Sequence, residues 1–432
     1  MSIRITNDGV VLETKLYTSN SKTMMLNIVI DETVRLKTKR WTPKNRQALH
    51  VVIMNLIACV AKKQRLYYQR GNSVTLPVTY NERRLSNHVI VCAIEELENE
   101  GYLFNYIAER QYGSVDDKHS SYIVATDKFM DKFCTVESTV ESAEYEHVVA
   151  NINIELKDKK KKKIDYVMNE SIEEAERVVA AVNAMNSSHL FIDFSGDYMV
   201  NLYCRIFNNN SFDFGGRWFR AAILAIKNKQ TKNRLRTTID GESVVEIDFD
   251  CLHIAMLSDI LGIDKYRGID IYYHVLEKQH YSSDNRRLVK LGINIMLNAT
   301  SEYKALNAIN DEMKGDVKYC YSSAEEVVAA IYKALPEFVP SFCNKNCTGL
   351  MLQNKDSWVA HYVLDEFVKM QEPILCVHDS FITQRKNADK LVDAMTMAYK
   401  KVMCVDRVVN MKMNWLESSP TGDILQVVDC SK

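Results

Sequence analysis

Between Pro43 and Lys63 the apolar residues Leu49, Val52, Ile53, Leu56, Ile57 and Val60 recur at three- and four-residue intervals, which predicts a helix with one buried face. A short helix and turn are expected near Tyr80 to Leu85. Ser86 then suits a helix cap, ahead of a stripe formed by Val89, Ile90, Ala93, Ile94 and Leu97, with Gly101 just past the end. Tyr102 to Arg110 reads as a strand, Gln111 to His119 as a polar turn, and Ser121 to Thr126 as the returning strand.

Farther on, Glu170 to Met185 carries Ile172, Ala175, Val178, Val179 and Val182 on one helical face. Two apolar, β-branched runs then end in acids: Val244-Val245-Glu246-Ile247-Asp248-Phe249-Asp250 and Cys376-Val377-His378-Asp379-Ser380-Phe381. Between them Arg286-Arg287-Leu288-Val289-Lys290 forms a basic turn at helical spacing, so Arg286 and Lys290 share a face.

Composition narrows the picture only slightly. The 432 residues suffice for two or three domains, and 55 basic against 56 acidic residues leave a formal charge of -1. Net charge therefore does not point to nucleic acid, although local segregation still can. Lys157-Asp158-Lys159-Lys160-Lys161-Lys162-Lys163 is the sharpest break, and such a run reads as a linker or exposed helix start. Eleven cysteines without repeated metal-ligand spacing imply reduced thiols in a cytoplasmic setting. Cys343 and Cys347 form the one close pair and lack a second pair for zinc. No apolar run reaches the length of a membrane span.

The order of the first region, helix, turn, helix and two-stranded hairpin, resembles a winged helix-turn-helix domain over about 90 residues. That resemblance implies DNA binding, with Arg83, Arg84, Asn87 and His88 at the entering end of the second helix. From about Gly215 onward the chain resembles the family A polymerases, which include bacterial DNA polymerase I and the single-subunit phage RNA polymerases. The resemblance rests on Gly216-Arg217, Arg236, the acidic strand at Asp248, the helix of Arg286, Lys290, Asn294 and Asn298, Gln353 leading a helix from Asp356 to Lys369, and His378-Asp379.

Taken together, these features predict an α+β chain: residues 1–150 a winged helix, 151–210 a basic linker and thumb-like helical region, and 211–432 a right-hand polymerase palm with reduced fingers and thumb. The resemblance implies a template-directed nucleotidyltransferase in which Asp248 and Asp379 hold two Mg²⁺ or Mn²⁺ ions, with Asp250 as an auxiliary ligand. Arg286, Lys290, His253, Asn294 and Asn298 would bind the incoming nucleotide, and Arg217, Arg236, Gln353 and His378 the primer and template. The implied partners are a DNA template and primer and dNTP or NTP substrates, and whether an accessory subunit supplies grip stays open.

Each motif alone has a plainer reading, since a lone Asp ending a strand usually caps a turn and an Arg-Arg-x-x-Lys helix usually faces solvent. Their shared order favours the polymerase reading. The family's Glu near the sugar is His253 here, and its aromatic fingers pair is Asn294 and Asn298, so ribonucleotide use stays open. The alternatives are a primase or RNA polymerase, and an inactive DNA-binding regulator. The fusion of a DNA-binding domain to a compact polymerase suits a plasmid, phage or other mobile element.

Overall fold

A computed structural model of the chain describes residues 9–11, 42–61, 65–68, 85–107, 121–134, 153–226, 232–314, 317–407, 409–417 and 424–430. It is a mixed α and β chain that divides into two compact units, residues 1–152 with 163–167, and residues 153–162 with 168–432.

In the first unit, β1 (Gly9–Val11) is followed by α1 (Pro43–Ala61), β2 (Arg65–Tyr68), α2 (Asn87–Asn99), β3 (Leu103–Tyr106) and β4 (Ser121–Ala125). The strands align as β1-β2-β4-β3, with β1 parallel to β2 and the other pairs antiparallel. The predicted stripes of both helices lie inward: Leu49, Val52, Ile53 and Leu56 pack in the same core as Ile90, Ile94 and Leu97. Ser86 caps α2 by accepting the Val89 N–H, and Gly101 takes a φ of +74° just beyond it. Of the strand expected from Tyr102 to Arg110, Leu103–Tyr106 is extended, while residues 108–110 and the expected turn Gln111 to His119 lie outside the described residues. The helix and turn expected near Tyr80, together with Arg83 and Arg84, lie outside the described residues.

The second unit begins with β5 (Ile154–Leu156), α3 (Glu170–Ser187), β6 (Phe191–Ile192), β7 (Cys204–Asn208) and β8 (Ser211–Phe219). The expected basic linker is instead ordered at its start. The Asp158 side chain accepts the Lys160 and Lys162 N–H groups, so the acid inside the run organises the lysines into an exposed turn. The expected thumb-like helix, α3, buries Val178, Val179 and Val182 in one core with the acidic strand.

The chain continues through β9 (Thr238–Ile239), β10 (Glu242–Phe249), α4 (Leu252–Leu261), α5 (Ile271–Val275), α6 (Ser283–Asn298), α7 (Glu302–Met313) and α8 (Ala324–Ala334). It ends with α9 (Thr348–Met370), β11 (Ile374–Val377), β12 (Ser380–Gln384), α10 (Ala388–Met403), β13 (Met411–Glu417) and β14 (Ile424–Asp429). The main sheet runs β11-β12-β10-β13-β14, all antiparallel, and a smaller one runs β5-β7-β8. A central strand is buried on both faces, which explains why Val244, Val245 and Ile247 form a nearly continuous apolar run. Helix α9 starts eight residues before the expected Asp356, so Gln353 lies within it rather than ahead of it. It touches β8, α10, α3, α4 and α6 and forms the spine of the unit.

Candidate active site

Strand β10 supplies the first acid. Residues two apart on a strand share a face, so Glu246, Asp248 and Asp250 project in the same sense along or just past it. Asp248 stands opposite Ser380 of β12 on one side and Lys412 of β13 on the other. Asp379 occupies the two-residue turn between β11 and β12, and its carbonyl accepts the Phe249 N–H at 3.2 Å. The two predicted catalytic acids therefore meet at one end of adjacent strands. Burial, and then the Asp379 charge, push the Asp248 carboxyl well above the usual carboxylate range, against the opposing pull of Lys290.

Asp250 is drawn elsewhere. Lys412 Nζ bonds its Oδ2 at 2.9 Å, and Arg286 Nη2 lies 3.9 Å from Oδ1. No group of three or more His, Cys, Asp or Glu poised for a metal forms among the described residues. Asp248, Asp379 and Asp250 are thus not gathered into one ligand group among the described residues, and Asp250 is paired with Lys412. The Asp248–Asp379 pair retains the hard oxygen donors that a divalent cation takes, and its crowded charge is what such a cation relieves.

Helix α6 brings the basic residues alongside. Ser282 caps it by accepting the Asn285 N–H. Arg286 donates from Nε to Asp270 Oδ2 at 2.7 Å and lies over the Tyr272 and Tyr273 rings, 5.0 and 5.5 Å from their centroids. Lys290, one turn on, is exposed, lies 5.8 Å from the Tyr272 centroid and makes no ion pair among the described residues. Asn294 and Asn298 follow on the same face. Asn298 donates to the Asn294 carbonyl and accepts from Gln353 Nε2 at 3.3 Å, which joins α6 to α9. Gly349 permits that approach, since a Cβ there would fall 2.2 Å from Asn298 Oδ1.

On the other side, Arg217 of β8 donates to Asp356 of α9 from Nε at 2.8 Å and from Nη2 at 2.6 Å. The same Nη2 lies 3.1 Å from His253 Nε2 on α4. His378 adopts a left-handed φ of +62°, packs edge-on against Phe219, and has a buried Nδ1 without a partner among the described residues. Burial, and then the Arg217 charge, lower its basicity. Arg236 sits exposed in the 3-10 turn Asn233–Arg236. In the first unit, Asn87 and His88 occupy the first turn of α2, with His88 exposed.

Sequence reasoning missed four participants. Asp356 anchors Arg217, Asp270 anchors Arg286, Lys412 holds Asp250, and Arg205 lies fully buried. Arg205 donates to the Gly216 carbonyl and Ser357 Oγ and stacks 4.4 Å from the Trp358 centroid, and burial brings its pKa down to about 9. Asp270 carried a readable signal as the cap ahead of Tyr272 and Tyr273, whose N–H groups it accepts. The others had none, because their partners are remote in sequence.

No protein-family model and no curated protein matches this chain. Among solved structures, the POL domain of Pol1 from M. smegmatis in complex with DNA primer-template and dNTP aligns over 98% of this chain and 67% of that one, at 10% identity and a TM-score of 0.34. A likeness at that score carries no weight for function. No helix among the described residues is long and apolar enough to cross a membrane.

Proposed function

We propose that the chain is a template-directed nucleotidyltransferase that adds nucleotides to a 3′-hydroxyl. The single observation that carries this reading is the meeting of Asp248 and Asp379 at the end of the β10–β12 ladder, with Lys290 acting on Asp248 from α6. Asp248 and Asp379 would hold Mg²⁺ or Mn²⁺, which when bound supplies charge neutralisation at the attacking and leaving oxygens. The remaining work falls to the protein's own groups. Lys290, which makes no ion pair among the described residues, presents its cation to the triphosphate, and Arg286 stands one turn away, tethered to Asp270 and available to an anion that outcompetes it. Arg217 and His253 offer one donor-rich surface to the primer end and sugar, and Gln353 with Asn298 closes the α6–α9 side.

The first unit supports a winged helix-turn-helix reading through its helix, strand, helix and hairpin order and its β2-β4-β3 antiparallel arrangement. In that reading it binds DNA through the start of α2, where Asn87 and His88 sit.

The test is extension of a labelled primer on a DNA template with Mg²⁺ or Mn²⁺, run with dNTPs and NTPs separately and without primer. Product that disappears in Asp379→Ala supports the polymerase reading, and the preferred nucleotide decides between DNA and RNA synthesis. Product without primer makes it a primase. Duplex binding with no product in any arm overturns the catalytic reading and leaves a DNA-binding regulator.

A further inference from the structure

We infer that Asp356 is a positioning residue that locks Arg217 and His253 into one unit beside the Asp248–Asp379 pair, fixing the surface that meets the primer end and the nucleotide sugar. The inference rests on the nucleotidyltransferase reading and deepens it.

Asp356 lies in the second third of α9 with 2% of its surface exposed. A carboxylate that deep requires partners, since an unpaired buried charge is strongly unfavourable. Its Oδ2 receives both Nε and Nη2 of Arg217, at 2.8 and 2.6 Å, and lies 3.5 Å from His253 Nε2. Arg217 Nη2 also lies 3.1 Å from His253 Nε2, so one guanidinium nitrogen faces both the carboxylate and the imidazole. The imidazole nitrogen is thus placed between the guanidinium and the carboxylate that holds it.

Three elements far apart in sequence, β8, α4 and α9, are tied by this one carboxyl oxygen. The backbone beside Arg217 is equally constrained. Gly216 has a φ of +82°, and a Cβ there would meet Phe207 at 2.6 Å and Ser357 Oγ at 2.8 Å. Ser357 is the residue after Asp356, so β8 is pressed onto α9 at the point where the ion pair forms. His378 closes the group: its ring packs edge-on against Phe219, two residues beyond Arg217 on β8, with centroids 5.8 Å apart, so the strand that carries Arg217 also meets the turn that carries Asp379. A pair needed only for folding would not require His253 to share the same guanidinium nitrogen.

The experiment compares the full chain with Asp356→Asn, which keeps size and loses charge, and with His253→Gln and the double variant. Primer extension with dNTPs and NTPs gives kcat, KM for primer-template and the dNTP-to-NTP preference, and Tm is measured in parallel. The expected result is a rise of about tenfold in primer-template KM for Asp356→Asn, with a changed sugar preference. The double variant should be no worse than the more impaired single one, because all act through one unit. If Asp356→Asn does not fold, the pair Arg217→Met with Asp356→Leu removes both charges together and takes its place, with the same expected shifts. A lowered Tm with unchanged KM and unchanged sugar preference would overturn the inference while leaving the polymerase reading intact. Absence of extension by the unaltered protein would overturn both.

Discussion

Asp248 stands directly across the β10–β12 ladder from Ser380, one residue past Asp379, and this register brings the two carboxylates to one end of adjacent strands. Because burial and the Asp379 charge raise the Asp248 pKa, the folded state holds that proton more tightly than the unfolded chain. The associated stability is present below the unfolded value, about 3.9, and is lost as pH rises through the raised folded value. At neutral pH the pair therefore strains the fold. Asp248→Asn should raise Tm in metal-free buffer at pH 7.5 while abolishing primer extension, and the gain should shrink as pH falls toward 4. Saturating Mg²⁺ or Mn²⁺ should raise the Tm of the unaltered protein, by the equivalent of about 2–3 kcal/mol at a hundredfold excess over Kd. The Asp248→Asn, Asp379→Asn double variant should show no such shift in a thermal melt.

Much of this site was legible along the chain, and the limits of that legibility are physical. Asp248 and Asp379 end apolar runs because a buried strand must surrender its acids at its edge. Arg286 and Lys290 share a face because helical spacing demands it. Asp356 looked like any helical acid, since its partner Arg217 lies 139 positions away and only folding reveals it. Lys412 is 162 positions from Asp250, so the ion pair between them could not be read along the chain. The resemblance likewise placed the start of α9 at Asp356, eight residues late, and the turns it passed over contain Gly349, a weak helix former kept there by the close approach of Asn298.

Gly216→Ala should destabilise the second unit by about 2–4 kcal/mol. A side chain at φ +82° is strained, and its Cβ would also press into Phe207 and Ser357. Urea unfolding would measure the cost. The same variant should raise primer-template KM, since it displaces Arg217. A stable variant with normal kinetics would show that β8 can shift without disturbing the site.

His361 should make the fold acid-sensitive. Its ring is fully buried against Trp358 and Tyr362, with centroids at 4.8 and 4.9 Å, and burial, then the Arg205 charge, bring its pKa down to about 3. Asp365 and Glu174 pull the other way, and Arg177 adds to the depression. The unfolded chain binds the proton near pH 6.5 while the folded one refuses it. Stability is thus full above that value and falls as pH drops toward 3, by up to about 1.4 kcal/mol per pH unit. His361→Phe should flatten the decline between pH 6.5 and 5 in urea titrations. His378 contributes with the same sign, so a residual slope is expected. An unchanged slope would assign the acid sensitivity to other groups.

Lys290 and Arg286 separate nucleotide binding from folding. Both lie on one face of α6, but Arg286 is bonded to Asp270 and stacked on two tyrosines, while Lys290 is exposed and unpaired among the described residues. Removing Arg286 leaves the Asp270 carboxylate without its cation, so Arg286→Ala should lower Tm as well as weaken nucleotide binding. Lys290→Ala breaks no hydrogen bond or ion pair among the described residues and should leave stability within about 0.5 kcal/mol. Its whole effect should fall on substrate: nucleotide KM should rise about tenfold, the loss of one charge-assisted phosphate contact. Lys290→Arg, which keeps the charge, should recover most of that loss. Steady-state kinetics and melting curves on the three variants give the comparison. Equal losses of Tm in Lys290→Ala and Arg286→Ala would mean that both are structural cations and that the triphosphate is held elsewhere.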